Sequence, residues 1–280
     1  RAEAVASVGR LGDEDAAMVL FELLGDDSEL IQDSAMGALA RMSPQRVTPL
    51  LLHALSSPED AVRIRAAETL GRLGQGDTAP ALITLSRDPR ETVRRAAIKA
   101  LGEIAAAGVP DLLRAALMDE SSLVRQQAVQ SLGKLQEPDT ARDLAPLLDD
   151  PDPGMRFVTL RALGQIRNAD VVDRVVPFLG DERKELRFAA AEALGAMRAA
   201  AAVRPLVKVL AEPDRTLRRI SAESLGVIGD PQAVPPLLLA LEDEHWSVRC
   251  SAATALGRIG SVKAVPALLG RLVDPDATVR

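Results

Sequence analysis

The pair Leu-Gly returns every 31 residues, at Leu70-Gly71, Leu101-Gly102, Leu132-Gly133, Leu163-Gly164, Leu194-Gly195, Leu225-Gly226 and Leu256-Gly257. Leu39-Ala40 and Val8-Gly9 extend the series backwards, giving nine members in register. Eight residues before each glycine position stands Arg1, Arg63, Arg94, Arg125, Arg156, Arg187, Arg218 or Arg249, with Gln32 in the second copy and Arg280 next in line. A fixed period of this length means that each copy is one supersecondary unit, buried by stacking on its neighbours.

Within a copy the pattern is helical. Around Gly257, the residues Val248, Ala252, Ala255, Leu256 and Ile259 fall on one side of a 3.6-residue helix. This is the second helix of the unit. Gly12, Gly74, Gly229 and Gly260 sit where it should stop, as suits a residue at left-handed backbone angles. Asp230-Pro231 then reads as an N-cap and first-turn proline opening the next helix, whose apolar residues Val234, Leu237, Leu238 and Leu241 supply the other half of the core. The turns Asp150-Pro151-Asp152, Glu212-Pro213-Asp214 and Asp274-Pro275-Asp276 break the first helix and place an aspartate to cap the second.

The stretches VRRAAIKALGEI and LRRISAESLGVIGDPQAVPPLLLALEDE resemble HEAT repeats, in the short bacterial form associated with phycobilin lyases. The resemblance covers the whole chain. It implies an all-α fold, a right-handed superhelix (a HEAT-like solenoid) of about nine two-helix repeats, in which the second helices line the concave surface. It also implies a ladder between repeats, built from the aspartate of each turn and the arginine six residues later. The acidic column here is Asp26, Asp88, Asp119, Asp150, Asp181, Glu212, Asp243 and Asp274, with Ser57 departing. These pairs read as structural, satisfying turn amides and fixing stacking register.

Composition narrows the function. The 280 residues are 47% hydrophobic, enough for a large core, and no apolar run approaches a bilayer span of about 20 residues. The opening RAEAVASVGR has no signal-peptide pattern. A single cysteine, Cys250, excludes an intrachain disulfide and suits a reducing compartment, so the expected location is cytoplasmic. With 34 basic against 40 acidic side chains, a general nucleic-acid binder is disfavoured, and four Phe, one Trp and no Tyr match poorly the aromatic-rich groove of DNA glycosylases built from related repeats.

Some relatives of this repeat type are enzymes, but the hydroxylases among them bind metal through His-Glu pairs. Here His53 precedes Ala54 and His245 precedes Trp246. No catalytic or metal residue is assigned and no cofactor is expected; Cys250 reads as a small, half-buried thiol.

Function is therefore sought on exposed columns of the second helix, seven before, three before and one after the glycine, which the resemblance places in the concave groove. Among these 27 positions nine are basic and five acidic, although the chain's formal charge is -6. The candidate partner-binding residues are Arg95, Lys99, Phe157, Arg161, Phe188 and Arg219. Phe157 and Phe188 share one column in adjacent copies, and two readings stand: interface anchors beside arginines, or rings packing on each other and on neighbouring glycines. Trp246 is a second candidate contact, at a position where other copies are polar; local packing is its alternative. Phe21 and Phe178 fall in first-helix core columns.

The expected function is a non-catalytic scaffold or adaptor that holds an extended or helical, acidic or mixed-charge segment of another protein in its groove. The alternatives are a bilin-lyase-like, small-molecule-handling protein and a nucleic-acid-binding solenoid. The chain reads as a single array over residues 1–280. It starts and stops at equivalent arginines without a polar capping repeat, so it reads as a segment of a longer protein, as one whose ends are covered, or as one with its flanks trimmed.

Overall fold

The computed structural model describes residues 2–11, 14–104 and 106–280, and among them every regular element is helical. Two compact units divide the chain at residues 135 and 136. The first holds α1 (Ala2–Leu11), α2 (Glu14–Glu22), α3 (Glu29–Leu39), α4 (Pro44–Ala54), α5 (Asp60–Leu73), α6 (Ala79–Leu85), α7 (Glu91–Leu101), α8 (Val109–Ala116) and α9 (Ser122–Leu135). The second holds α10 (Thr140–Leu144), α11 (Pro153–Ile166), α12 (Val172–Val175), α13 (Lys184–Met197), α14 (Val203–Val209), α15 (Arg215–Ile228), α16 (Val234–Ala240), α17 (Trp246–Ile259) and α18 (Val265–Gly270). Odd-numbered helices are the second helices of their copies and even-numbered ones the first, so the 31-residue period is one helix pair. No described helix is long and apolar enough to cross a membrane.

Local chemistry sets the helix ends. Gly74, Gly229 and Gly260 cap α5, α15 and α17 at φ of 67°, 78° and 72°. Gly12 lies outside the described residues. Asp152 and Asp214 cap α11 and α15 by accepting the amides of Gly154 and Thr216 at 2.8 Å, and Asp230 accepts that of Gln232. Prolines shorten the first helices: α10 and α12 run into 3-10 turns at Ala145–Asp149 and Val176–Gly180, each with its proline second.

The leucine of each Leu-Gly pair from Leu70 to Leu256 is buried, and the glycine has a separate reason. A Cβ on Gly226 would lie 2.6 Å from Ala255 Cα, and one on Gly102 would lie 2.5 Å from Ser131 Oγ. Backbones of successive second helices therefore approach too closely for any side chain there. Ser131 Oγ donates to Ile98 O across the same contact at 3.0 Å, as Ser224 Oγ does to Ala191 O at 2.9 Å, so these buried hydroxyls are satisfied. The second helices within each unit consequently lie side by side as one face.

The arginine column joins turns as well as helices. Each of Arg63, Arg94, Arg125, Arg156, Arg187, Arg218, Arg249 and Arg280 donates through Nη1 to the carbonyl six residues before it, at distances from 2.6 to 3.0 Å. Gln32, the exception in sequence, does the same with its amide, to Asp26 O at 2.6 Å. At Arg63, Arg94, Arg218 and Arg249 the other edge of the guanidinium meets the acidic residue of the next copy. Arg94 forks onto Asp119 at 2.9 and 3.0 Å, and Arg218 onto Asp243 at 2.7 and 3.0 Å. The carboxylate also accepts the amide two residues on, as Asp119 does from Ser121 at 2.8 Å.

The charge states follow this geometry. Burial pushes Asp119 and Asp243 up, but the bonds from their arginines and turn amides more than offset it, and both carboxyls sit below the ordinary value. The ladder is interrupted in the second unit. Arg187 reaches Asp214 only at 3.8 Å, its column partner being the longer Glu212, and the buried Nε of Arg156 has no partner. Nothing in the structure explains the second gap.

Candidate functional site

The second-helix face carries the exposed columns, and the two units present it separately. In the first unit Arg95 on α7 is exposed and makes no ion pair among the described residues. Lys99, one turn on, is held by Glu68 of α5 at 3.1 Å, and the same Glu68 takes Arg65 at 3.0 Å. Lys134 bonds Glu103 in the same way at 3.2 Å. Part of the basic character read from the columns is thus spent within the face itself. Ala2 and Ala6, which head two of the columns, lie outside the residues whose side chains are described.

In the second unit Phe157 and Phe188 are half-buried on α11 and α13. Arg161 lies over the Phe157 ring, its Cζ 5.9 Å from the centroid. The only ring pair among the described residues is His245 with Trp246, so the two phenylalanines do not pack on each other as stacked or edge-on rings. That removes one half of the packing alternative. Arg219 on α15 is tied to Glu223 at 2.7 Å, and Glu223 also accepts from Ser251 Oγ at 2.9 Å.

Trp246 opens α17 with 41% of its surface exposed, stacked on the capping His245 at 5.9 Å between centroids. His245 Nε2 lies 2.7 Å from Arg215 Nη1 and its Nδ1 lies 2.8 Å from Ser247 Oγ, which fixes the ring beneath the indole. Trp246 therefore has a local packing partner and an outward face at once. Phe21 and Phe178, expected in the core, are only half-buried; Phe21 lines a cleft of about 460 Å³ with His53 and Val62.

A larger cleft, about 480 Å³, opens on α11, α13, α15 and α17. Its lining includes Arg167, Arg198 and Arg258 together with Glu192, Glu223 and the half-buried Cys250. Arg167 and Arg198 were not among the residues expected from sequence. They follow α11 and α13 at φ of 60° and 52°, in the slot where α15 and α17 use Gly229 and Gly260. The legible signal was an arginine standing where the sequence of four other copies has glycine. Among the described residues, no three His, Cys, Asp or Glu side chains converge to hold a metal ion. The chemistry offered is recognition of charge and apolar surface.

Comparison with known proteins bears on what such a face does. The model for HEAT repeats matches residues 1–62, 20–97, 48–133, 79–159, 141–226 and 203–280, which together span the chain. No curated protein sequence matches. The complex of CpcE and CpcF of phycocyanin lyase from Nostoc sp. PCC7120 is similar at 26% identity and a TM-score of 0.52, over 82% of this chain and 93% of that one. YibA of E. coli shares the fold at 19% identity and a TM-score of 0.61, over 91% and 95% of the two chains. Kap95p, solved bound to RanGDP, shares it at 14% identity and 0.60, over 92% of this chain and 43% of that one.

Proposed function

The chain belongs to the HEAT-repeat family, and on that premise we propose that it is a non-catalytic scaffold whose second-helix face binds a segment of another protein. The observation that carries the reading is Phe157, a half-exposed ring with no aromatic partner among the described residues, lying under the guanidinium of Arg161. Aromatic side chains beside arginine are what supply most of the free energy at protein interfaces. Phe188 continues the apolar column one helix further, and Arg219 borders it with one carboxylate already engaged. In the first unit Arg95 is a cation with no ion pair among the described residues, and Lys99, held by Glu68, a more restrained one. Trp246 extends the surface at the far edge of the face through its exposed side.

The test is to use the full chain as bait, identify a bound protein, and repeat with Phe157→Ala and Phe188→Ala combined. The scaffold reading expects the partner to be lost while the helical content is unchanged. Retention by the variant would put binding elsewhere, with Trp246 next to examine.

The 26% identity to a phycocyanin lyase chain favours a second reading, in which the same face handles a linear tetrapyrrole. Visible absorbance after incubation with phycocyanobilin separates the two. The scaffold reading expects no retained pigment after gel filtration, whereas a retained chromophore supports the second.

A further inference from the structure

We infer that the cleft on α11, α13, α15 and α17 receives an acidic peptide segment, its carboxylates held by Arg167, Arg198 and Arg258. This deepens the scaffold reading and rests on it.

The cleft carries unspent positive charge. None of the three guanidiniums makes an ion pair among the described residues, whereas one of the two carboxylates in the cleft, Glu223, already accepts from Arg219 at 2.7 Å and Ser251 at 2.9 Å. Glu192 alone remains uncommitted, so the cleft has attraction left over for about two further carboxylates.

Its rim also holds backbone strain. Left-handed angles disfavour any residue with a Cβ, and glycine fills this slot on α5, α15 and α17. Arginine at successive copies keeps the strain and gains a cation at the rim of the cleft. Favourable interaction with the helix C-terminus does not account for it, because a basic residue inside the last turn, as Arg72 is on α5, gains the same without strain. Gln136, at the equivalent position before them, is the uncharged member of the set. Strain held at a site lined by uncommitted charge points to a ligand.

The dimensions select a peptide. About 480 Å³ holds a few side chains and no folded surface. Second helices of successive copies lie roughly 10 Å apart, and three residues of a peptide in the polyproline II conformation span about 9 Å and return the side chain to the same side. Acidic residues at every third position would therefore meet Arg167 and Arg198 in turn.

The experiment measures fluorescence anisotropy of a labelled peptide of about twelve residues with glutamate at every third position, titrated with the full chain at low salt. Its controls are the same peptide with glutamine for glutamate and a labelled oligothymidine. The variant is Arg167→Gly with Arg198→Gly, which installs the residue that other copies use. The inference expects the glutamate peptide to bind at least about tenfold more tightly than the glutamine peptide, and the variant to lose at least about tenfold. It also expects the variant's Tm to be unchanged or higher.

No preference for glutamate, undiminished binding by the variant, or a lower Tm in the variant would each overturn the inference. So would tighter binding of the oligonucleotide with the same arginine dependence. A protein partner captured in a Phe157-dependent and Arg167-independent manner would overturn this inference alone and leave the scaffold reading standing.

Discussion

Arg249 and Asp274 form a closed fork between consecutive copies, Nε to Oδ2 at 2.9 Å and Nη2 to Oδ1 at 2.7 Å, with the Asp274 side chain wholly shielded from solvent. The third nitrogen, Nη1, donates to Asp243 O in its own turn at 3.0 Å. One guanidinium thus ties the turn of its own copy to the turn of the next. A single side chain serves three acceptors, the Asp243 carbonyl and both Asp274 carboxylate oxygens, of which Oδ1 also accepts the Asp276 amide at 2.9 Å.

That fork sets a pH dependence. The hydrogen bonds from Arg249 hold the Asp274 carboxyl at about 2, below its ordinary 3.8. A depressed value means that the unfolded chain binds the proton more tightly, so the contribution to stability is present above about pH 4 and is lost as pH falls towards 2. Asp119 and Asp243 are lowered too and add in the same sense. Urea midpoints measured from pH 7 to 2 should be level down to about 4 and then fall. Asp274→Asn should be less stable at pH 7 and show a shallower fall, and an equally steep fall would mean that other carboxylates govern the acid limb.

Gln32 and Ser57 look like two unrelated departures in sequence, but the structure makes them one rung. The rungs at Arg63, Arg94, Arg218 and Arg249 reach a residue 25 positions on. The same step from Gln32 arrives at Ser57. Ser57 Oγ still accepts the Glu59 amide at 3.2 Å, as the aspartates do for theirs, so only the ionic half is missing. Installing Gln32→Arg with Ser57→Asp should raise stability by about 1 kcal/mol beyond the sum of the single changes. Chemical denaturation of the four proteins of the cycle measures this, and strict additivity would mean that no rung forms.

Two glycines in the same column should respond oppositely to alanine. A methyl on Gly226 would come within 2.6 Å of the Ala255 backbone, and Gly226→Ala should cost about 1–3 kcal/mol. Gly257 meets nothing within 4 Å, and Gly257→Ala should be neutral or stabilising by up to about 1 kcal/mol, because alanine is the better helix former. Thermal melts of the two variants suffice, and equal losses would show that backbone angles, not close approach, select the glycine.

The fold was legible because a 31-residue period repeats the same physical requirement nine times, so each weak signal is read many times over. Leu70 to Leu256, the turn aspartates and Gly74, Gly229 and Gly260 all stand where the pattern places them. What the pattern left out is specific to single copies. The sequence did not disclose that Lys99 and Arg219 would be occupied by Glu68 and Glu223, because such pairs depend on how far one helix is rotated against the next. Nor did the core columns foresee that Phe21 and Phe178 would stay half-buried, the latter next to Pro177 and just beyond the four-residue helix α12. Arg167 and Arg198 stand in the slot of Gly74, Gly229 and Gly260, and the period alone does not distinguish a cation that lines a cleft from a polar filler such as Gln136.

The central claim is that Phe157 and Phe188 anchor a protein partner. Once a partner has been purified, isothermal titration of the full chain against it, with and without Phe157→Ala and Phe188→Ala, tests the claim directly. The account predicts a loss of about 2 kcal/mol or more, roughly thirtyfold in Kd, with Tm within a few degrees of the parent. Equal affinity in the two titrations would contradict it and assign the rings to packing between copies.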